Sequence, residues 1–153
     1  MTKLDETDRK IIRALQREGR LSNQDLSQRV NLSPSPCLRR VRNLERAGVI
    51  DGYAAIVDQE AYGLPVTVFL QVRLDRHSQE NVTAFETAVA GIDEIMECYL
   101  MAGDRDYLLR VVVASLADYE EFIRRRIHKI PGIASLDSSF AFGVVKRSQV
   151  LPG

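Results

Sequence analysis

Within residues 33–46, Ser-Pro-Ser-Pro-Cys-Leu-Arg-Arg-Val-Arg-Asn-Leu-Glu-Arg, two kinds of side chain separate when the chain is wound at 100° per residue. Cys37, Leu38, Val41 and Leu44 fall on one side. Ser35, Arg39, Arg42, Asn43 and Arg46 fall on the other, with Arg40 at the flank. Arg bonds guanine in bidentate fashion, Asn bonds adenine, and Arg or Ser holds phosphate. An apolar back with such a front suits the major groove of DNA. The plainer alternative is a solvated helix face.

A second cluster is Gly103-Asp104-Arg105-Asp106, between two β-rich runs. It brings together two carboxylates, a guanidinium and a glycine that permits close backbone approach. Tyr99, Leu100, Met101 and Tyr107 offer apolar wall beside it. Gly and Asp are also ordinary turn residues, so these residues by themselves equally describe a hairpin turn.

The elements that must position these groups are legible. Asp5, with Glu6 and Asp8 in the first turn, predicts a helix start, and Gly19 a stop. Ser22 with Asp25 predicts a second start, and Asn31 a left-handed end. Ser33 before Pro34 predicts a third helix, with Ser33 as cap and Gly48 as stop. Only two or three residues part the second helix from the third, the spacing of a helix-turn-helix. Residues 49–58 are rich in β-formers and read as a wing or as a strand leading out. Gln59 to Pro65 read as a linker.

The rest reads as β-α-β-β-α-β. Residues 66–74 alternate as a half-buried strand. Ser78 caps a helix with Val82, Phe85 and Val89 inside. Strands follow at 95–101 and 107–113, then a helix opened by Ser115 whose stripe is Leu116, Tyr119, Phe122, Ile123 and Ile127. A last extended stretch, 133–146, carries Leu136, Phe140, Phe142 and Val144 on one side. The fold class is therefore α+β, a helix-turn-helix unit followed by a ferredoxin-like sheet with both helices on one face. The domains expected are 1–53 for DNA, 54–65 as linking strand and hinge, and 66–153 for the sheet. The open sheet face, with Thr67, Phe69 and Gln71, predicts a homodimer packed sheet to sheet.

Composition narrows the function. The 153 residues carry 21 Lys+Arg and 21 Asp+Glu, yet 1–53 is net +4 and 54–153 net −4. A basic front is the footprint of a polyanion partner. No run has the ~18 apolar residues of a membrane span, and the charged N-terminus lacks a secretory core. Cys37 and Cys98 are too far apart for a metal pair and read as buried thiols. His77 and His128 have no clustered ligands, so no metal is expected. These features favour a cytoplasmic protein, nucleoid-associated where the basic front meets DNA. Asp104 with Asp106 as an acid/base pair is the only hint of an enzyme, and no nucleophile, phosphate loop or metal cluster supports it. Arg124, Arg125, Arg126 and Lys129 form a basic helix face that is solvated, inter-subunit or in touch with wrapped DNA.

The segments LDETDRKII and SPSPCLRRVRNLERAGVI, the later YLMAGDRDYLLRVVV and the ending IPGIASLDSSFAF together resemble the Lrp/AsnC family of transcription regulators. The resemblance covers nearly the whole chain. It implies a winged helix-turn-helix joined to an amino-acid-responsive domain of ferredoxin-like fold. It implies dimers built through the sheets and the linking strand, assembling to tetramers or octamers. By it, residues 33–46 are the recognition helix, and Ser33, Ser35, Arg39, Arg40, Arg42 and Asn43 are the DNA-contacting candidates. By it also, the turn holds the effector, with Tyr99, Met101, Gly103, Asp104, Arg105, Asp106 and Tyr107 as candidates and no other cofactor. Leucine or another apolar amino acid is the first expectation. The alternative function is a nucleoid-organising protein that binds DNA with little sequence choice.

Overall fold

The computed structural model describes residues 3–76 and 78–152; His77 lies outside them. The chain divides into two compact units, 1–56 with 145–153, and 57–144. Residues 145–152, read from the sequence with the second module, fall with the first in this division. There Gln16 donates to the Gln149 carbonyl at 2.9 Å and accepts the Leu151 N–H at 3.3 Å.

Three helices build the first unit: α1 (Glu6–Arg17), α2 (Asn23–Arg29) and α3 (Pro34–Arg46). The Asp5 side chain accepts the Asp8 N–H at 2.8 Å, and Asp8 returns the bond to the Asp5 N–H at 3.3 Å. This reciprocal box satisfies two backbone donors that the start of any helix leaves unpaired. Ser22 caps α2 through the Asp25 N–H at 3.1 Å. Asn31 ends the turn with φ 55°, as its type permits. Ile11, Leu26, Val30, Cys37 and Leu44 meet in one buried cluster, and burying each of the Ile, Leu and Val side chains stabilises by roughly 1.5–3 kcal/mol. Ser33 precedes α3 in extended backbone, but its hydroxyl makes no cap bond. The third helical residue, the usual donor to a cap, is Pro36, which has no N–H.

The second unit runs β1 (Val66–Leu74), α4 (Gln79–Ala90), β2 (Ile95–Leu100), β3 (Tyr107–Val113), α5 (Leu116–Arg125), a 3₁₀ turn (Ile127–Lys129) and β4 (Ile133–Phe140). The sheet order is β2-β3-β1-β4, every pair antiparallel. This is the ferredoxin-like arrangement. Val68, Leu70, Val72 and Leu74 of β1 are buried against Phe85 and Val89 of α4 and Tyr119 and Phe122 of α5. The alternate residues Phe69, Gln71 and Arg73 are exposed on the other face. Phe69 and Tyr99 leave 38% and 52% of their surface uncovered there.

Other sequence expectations change in the connecting segments and at the sheet edge. Residues 51–58, read as a wing or as a strand leading out, are in neither helix nor strand. Residues 58–64, within the stretch read as a linker, form a hydrogen-bonded turn. The Asp58 carboxylate accepts the Ala61 N–H, its carbonyl accepts the Tyr62 N–H, and Gly63 takes φ 94°. The last strand ends at Phe140 and cannot run to 146, for with Phe140 opposite Val68 a partner that begins at Val66 offers nothing beyond 142; Phe142 and Val144 are exposed. Cys98 is exposed rather than buried. It shares the helix side with its partner Leu109, but β2 is an edge strand.

Candidate nucleic-acid interface and the loop after β2

The apolar back of α3 anchors it: Cys37 and Leu44 are 0% and 3% exposed, and Val41 is half-buried. Burial pushes the Cys37 thiol above its usual range, so it stays a neutral core group. Leu38, placed with these from the sequence, is 36% exposed. On the opposite side Ser35, Arg39, Arg42, Asn43 and Arg46 are all exposed, and Ser33 is exposed at the helix start. Arg46 folds back along the helix, donating to the Arg42 carbonyl at 3.2 Å and the Asn43 amide oxygen at 3.1 Å. The guanidinium groups of Arg39 and Arg42 make no ion pair among the described residues. They are cations held on a rigid helix with their charge directed at solvent, which is what phosphate or guanine recognition requires.

Arg40 departs from the expectation. Its Nη1 lies 2.7 Å from Asp5 Oδ2 and 2.7 Å from Asp8 Oδ1, so it is turned toward α1 and not out with Arg39. The Asp8 N–H, and after it the Arg40 guanidinium, hold the Asp5 carboxyl below its ordinary pKa; Asp5 first and Asp8 second hold Arg40 above its own. Position explains the difference: Arg40 sits at the flank of the wheel, on the edge that meets the start of α1.

The loop between β2 and β3 is braced by its own polar groups. Gly103 takes φ 136°, a conformation that favours glycine. The Met101 N–H donates to the Asp106 carbonyl at 2.8 Å and the Asp106 N–H to the Val72 carbonyl at 2.9 Å. Asp106 Oδ2 accepts the Leu74 N–H at 2.7 Å. That carboxylate therefore fastens the loop to the end of β1, a part the sequence reading did not assign it. Arg105 reaches across to β4, where it donates to Ser135 Oγ at 2.7 Å and pairs with Asp137. The sequence reading makes Tyr107 apolar wall. It is instead 2% exposed, its ring 4.5 Å from that of Phe85 and its hydroxyl 2.9 Å from Glu86. Burial, and then Glu86, push its pKa up to about 12. The register explains it: Tyr107 opposes Val72, which faces the helices. Tyr99, Met101, Gly103 and Asp104 are exposed, as a ligand wall needs, and Leu100 is 75% exposed beside them.

A groove of about 880 Å³ opens elsewhere in this unit, between α5 and the end of β4, lined by Leu116, Tyr119, Ile123, Phe140 and Phe142. None of the loop candidates borders it. Leu116, expected inside, is 64% exposed at its rim. Among the described residues no group of His, Cys, Asp and Glu is arranged to hold a metal, and no helix is long and apolar enough to cross a membrane.

Comparison with known proteins bears on both surfaces. Residues 4–51 match the family model described as winged helix-turn-helix DNA-binding. Residues 67–151 match the one described as the Lrp/AsnC ligand binding domain. The Bkd operon transcriptional regulator of Pseudomonas aeruginosa is 44% identical over 149 residues, covering 97% of each chain. The leucine-responsive regulatory protein of Escherichia coli is 40% identical over 148 residues, covering 97% of this chain and 90% of that one. The crystal structure of a transcriptional regulator from Neisseria meningitidis in complex with L-Met superposes with a TM-score of 0.94 at 36% identity, covering 98% of this chain and 97% of that one.

Proposed function

We propose, for a chain that belongs to the Lrp/AsnC family of transcriptional regulators, that α3 reads promoter DNA and that the β2–β3 loop receives an amino acid which sets how the regulator assembles. The chain has the family's DNA-binding and ligand-binding modules, each with its own core. It is a regulator responsive to a small amino acid, not an enzyme.

The DNA contacts we assign are Ser33 and Ser35 at the start of α3, Arg39 and Arg42 on its face, and Asn43 beside them. The observation that carries this reading is the exposure of Arg39 and Arg42 on a helix whose other side is locked by Cys37 and Leu44. A free amino acid brings an ammonium, a carboxylate and a side chain. Asp104 offers charge for the ammonium, backbone N–H groups around Gly103 suit the carboxylate, and Tyr99, Leu100 and Met101 suit an apolar side chain. Leucine or methionine fits such a wall, and a neighbour in fold was crystallised with L-Met. Asp106, Arg105 and Tyr107 act here by bracing the loop.

The exposed sheet face with Phe69 and Tyr99 supports a homodimer, and further association into tetramers or octamers spaces the DNA modules along the duplex. Binding to promoters places the protein on the nucleoid. Effector control then needs only that the ligand bind one assembly more tightly than another. Fluorescence anisotropy with a labelled promoter fragment, competed by bulk DNA and repeated with each apolar amino acid, tests the whole reading. A specificity ratio well above one that shifts with leucine or methionine is expected. A ratio near one, unmoved by any amino acid, would contradict it.

A further inference from the structure

Asp5 and Asp8 each divide their two carboxylate oxygens between two tasks. Asp5 Oδ1 takes the Asp8 N–H and Asp8 Oδ2 takes the Asp5 N–H, which closes the start of α1. The remaining oxygens, Asp5 Oδ2 and Asp8 Oδ1, both accept from one atom, Arg40 Nη1. One guanidinium thus ties the recognition helix to the cap of α1, across 35 and 32 residues of chain. The three side chains are partly shielded, at 34%, 53% and 17% exposure for Arg40, Asp5 and Asp8. Their charges sum to −1, so these three groups together present no net positive charge to a phosphate. Arg39, one residue earlier, is exposed and outside this network.

We infer that Arg40 is a positioning residue: it sets the seating of α3 against α1 through Asp5 and Asp8, and neutralises no phosphate. The inference rests on α3 as the DNA reader and separates two arginines that are adjacent in sequence. Arg39 supplies charge to the duplex, and Arg40 supplies the angle at which α3 presents it. A misplaced helix loses base contacts, which need alignment, before it loses phosphate attraction, which does not.

The test uses the full chain with Arg40→Met, Arg40→Lys and Arg39→Met. Affinity is measured for an operator duplex and for bulk DNA over a series of salt concentrations. Arg40→Met should weaken operator binding about five-fold, within the range of couplings among contacting residues. Bulk-DNA affinity and the slope of log K against log salt should stay unchanged. Arg40→Lys should restore most of the loss, because a single ammonium, like Nη1, can serve both carboxylates. Arg39→Met should flatten the slope by about 0.9 for each copy bound; if it does not, the reading of α3 fails independently of this inference. If Arg40→Met flattens the slope by that amount and lowers both affinities together, Arg40 is a phosphate contact and the inference is wrong. Unchanged operator affinity in Arg40→Met also overturns it. Should Arg40→Met lose its helical circular dichroism, Arg40→Gln, which keeps a donor for the carboxylates, is judged by the same criteria.

Discussion

Replacing Asp106 by Ala separates a brace from a ligand contact. Its carboxylate accepts the Leu74 N–H at 2.7 Å, and Leu74 is only 3% exposed. Its backbone bonds to Met101 and Val72 survive the substitution. The loss includes a hydrogen bond to a charged acceptor, and it leaves the Leu74 N–H at the end of β1 without that partner. Such a loss costs roughly 1.5–3 kcal/mol. At 4–8 °C per kcal/mol for a domain of under 100 residues, a loss of about 2 kcal/mol lowers the melting point of the sheet unit by roughly 8–16 °C. Asp106→Asn keeps an acceptor oxygen and should show about half the drop. Differential scanning calorimetry gives the melting points, and isothermal calorimetry on the same samples gives amino-acid affinity below the melt. The reasoning is refuted if Asp106→Ala melts with the parent yet binds no amino acid, for the carboxylate would then be a ligand group and not a fastening.

Three further outcomes follow from single residues. Tyr107 has a pKa raised to about 12, so its contribution is complete below pH 10 and is lost as pH rises toward 12. A rise of that size corresponds to roughly 3 kcal/mol, and Tyr107→Phe should remove that alkaline slope from the unfolding free energy measured against pH. Phe69→Asp places a charge on the open sheet face and should shift the sedimenting mass toward one chain, 17.3 kDa; an unchanged mass argues that the dimer forms elsewhere. Gly132 has φ 79°, and a Cβ there would lie 2.8 Å from Asn81 Cγ. Gly132→Ala should therefore destabilise the sheet unit by about 1–3 kcal/mol in urea titration.

What the sequence disclosed was what neighbouring residues decide. The caps at Asp5, Ser22, Ser78 and Ser115 lie within three residues of the N–H groups they accept. The alternation of β1 announced which side chains are buried, and the face of α3 followed from a single angle. Tertiary partners were not legible. Arg40 reads like Arg39 until α1 folds beside it, and Asp106 reads like a turn residue until β1 brings Leu74 within reach. Tyr107 looked like wall because the sequence does not say which face of β3 meets the helices. The last strand cannot reach 146 because its partner begins at Val66, a fact of register rather than composition. The Ser33 cap failed for a local reason that was available: Pro36 has no N–H to give.

The central claim is that the exposed arginines of α3 meet the phosphates or bases of DNA. The most direct measurement is the salt dependence of operator affinity for the Arg39→Met/Arg42→Met protein beside its parent. Two lost contacts predict a slope of log K against log salt shallower by about 1.8 for each copy engaged, with circular dichroism unchanged. A folded double variant that keeps the parent's slope and affinity would contradict the account.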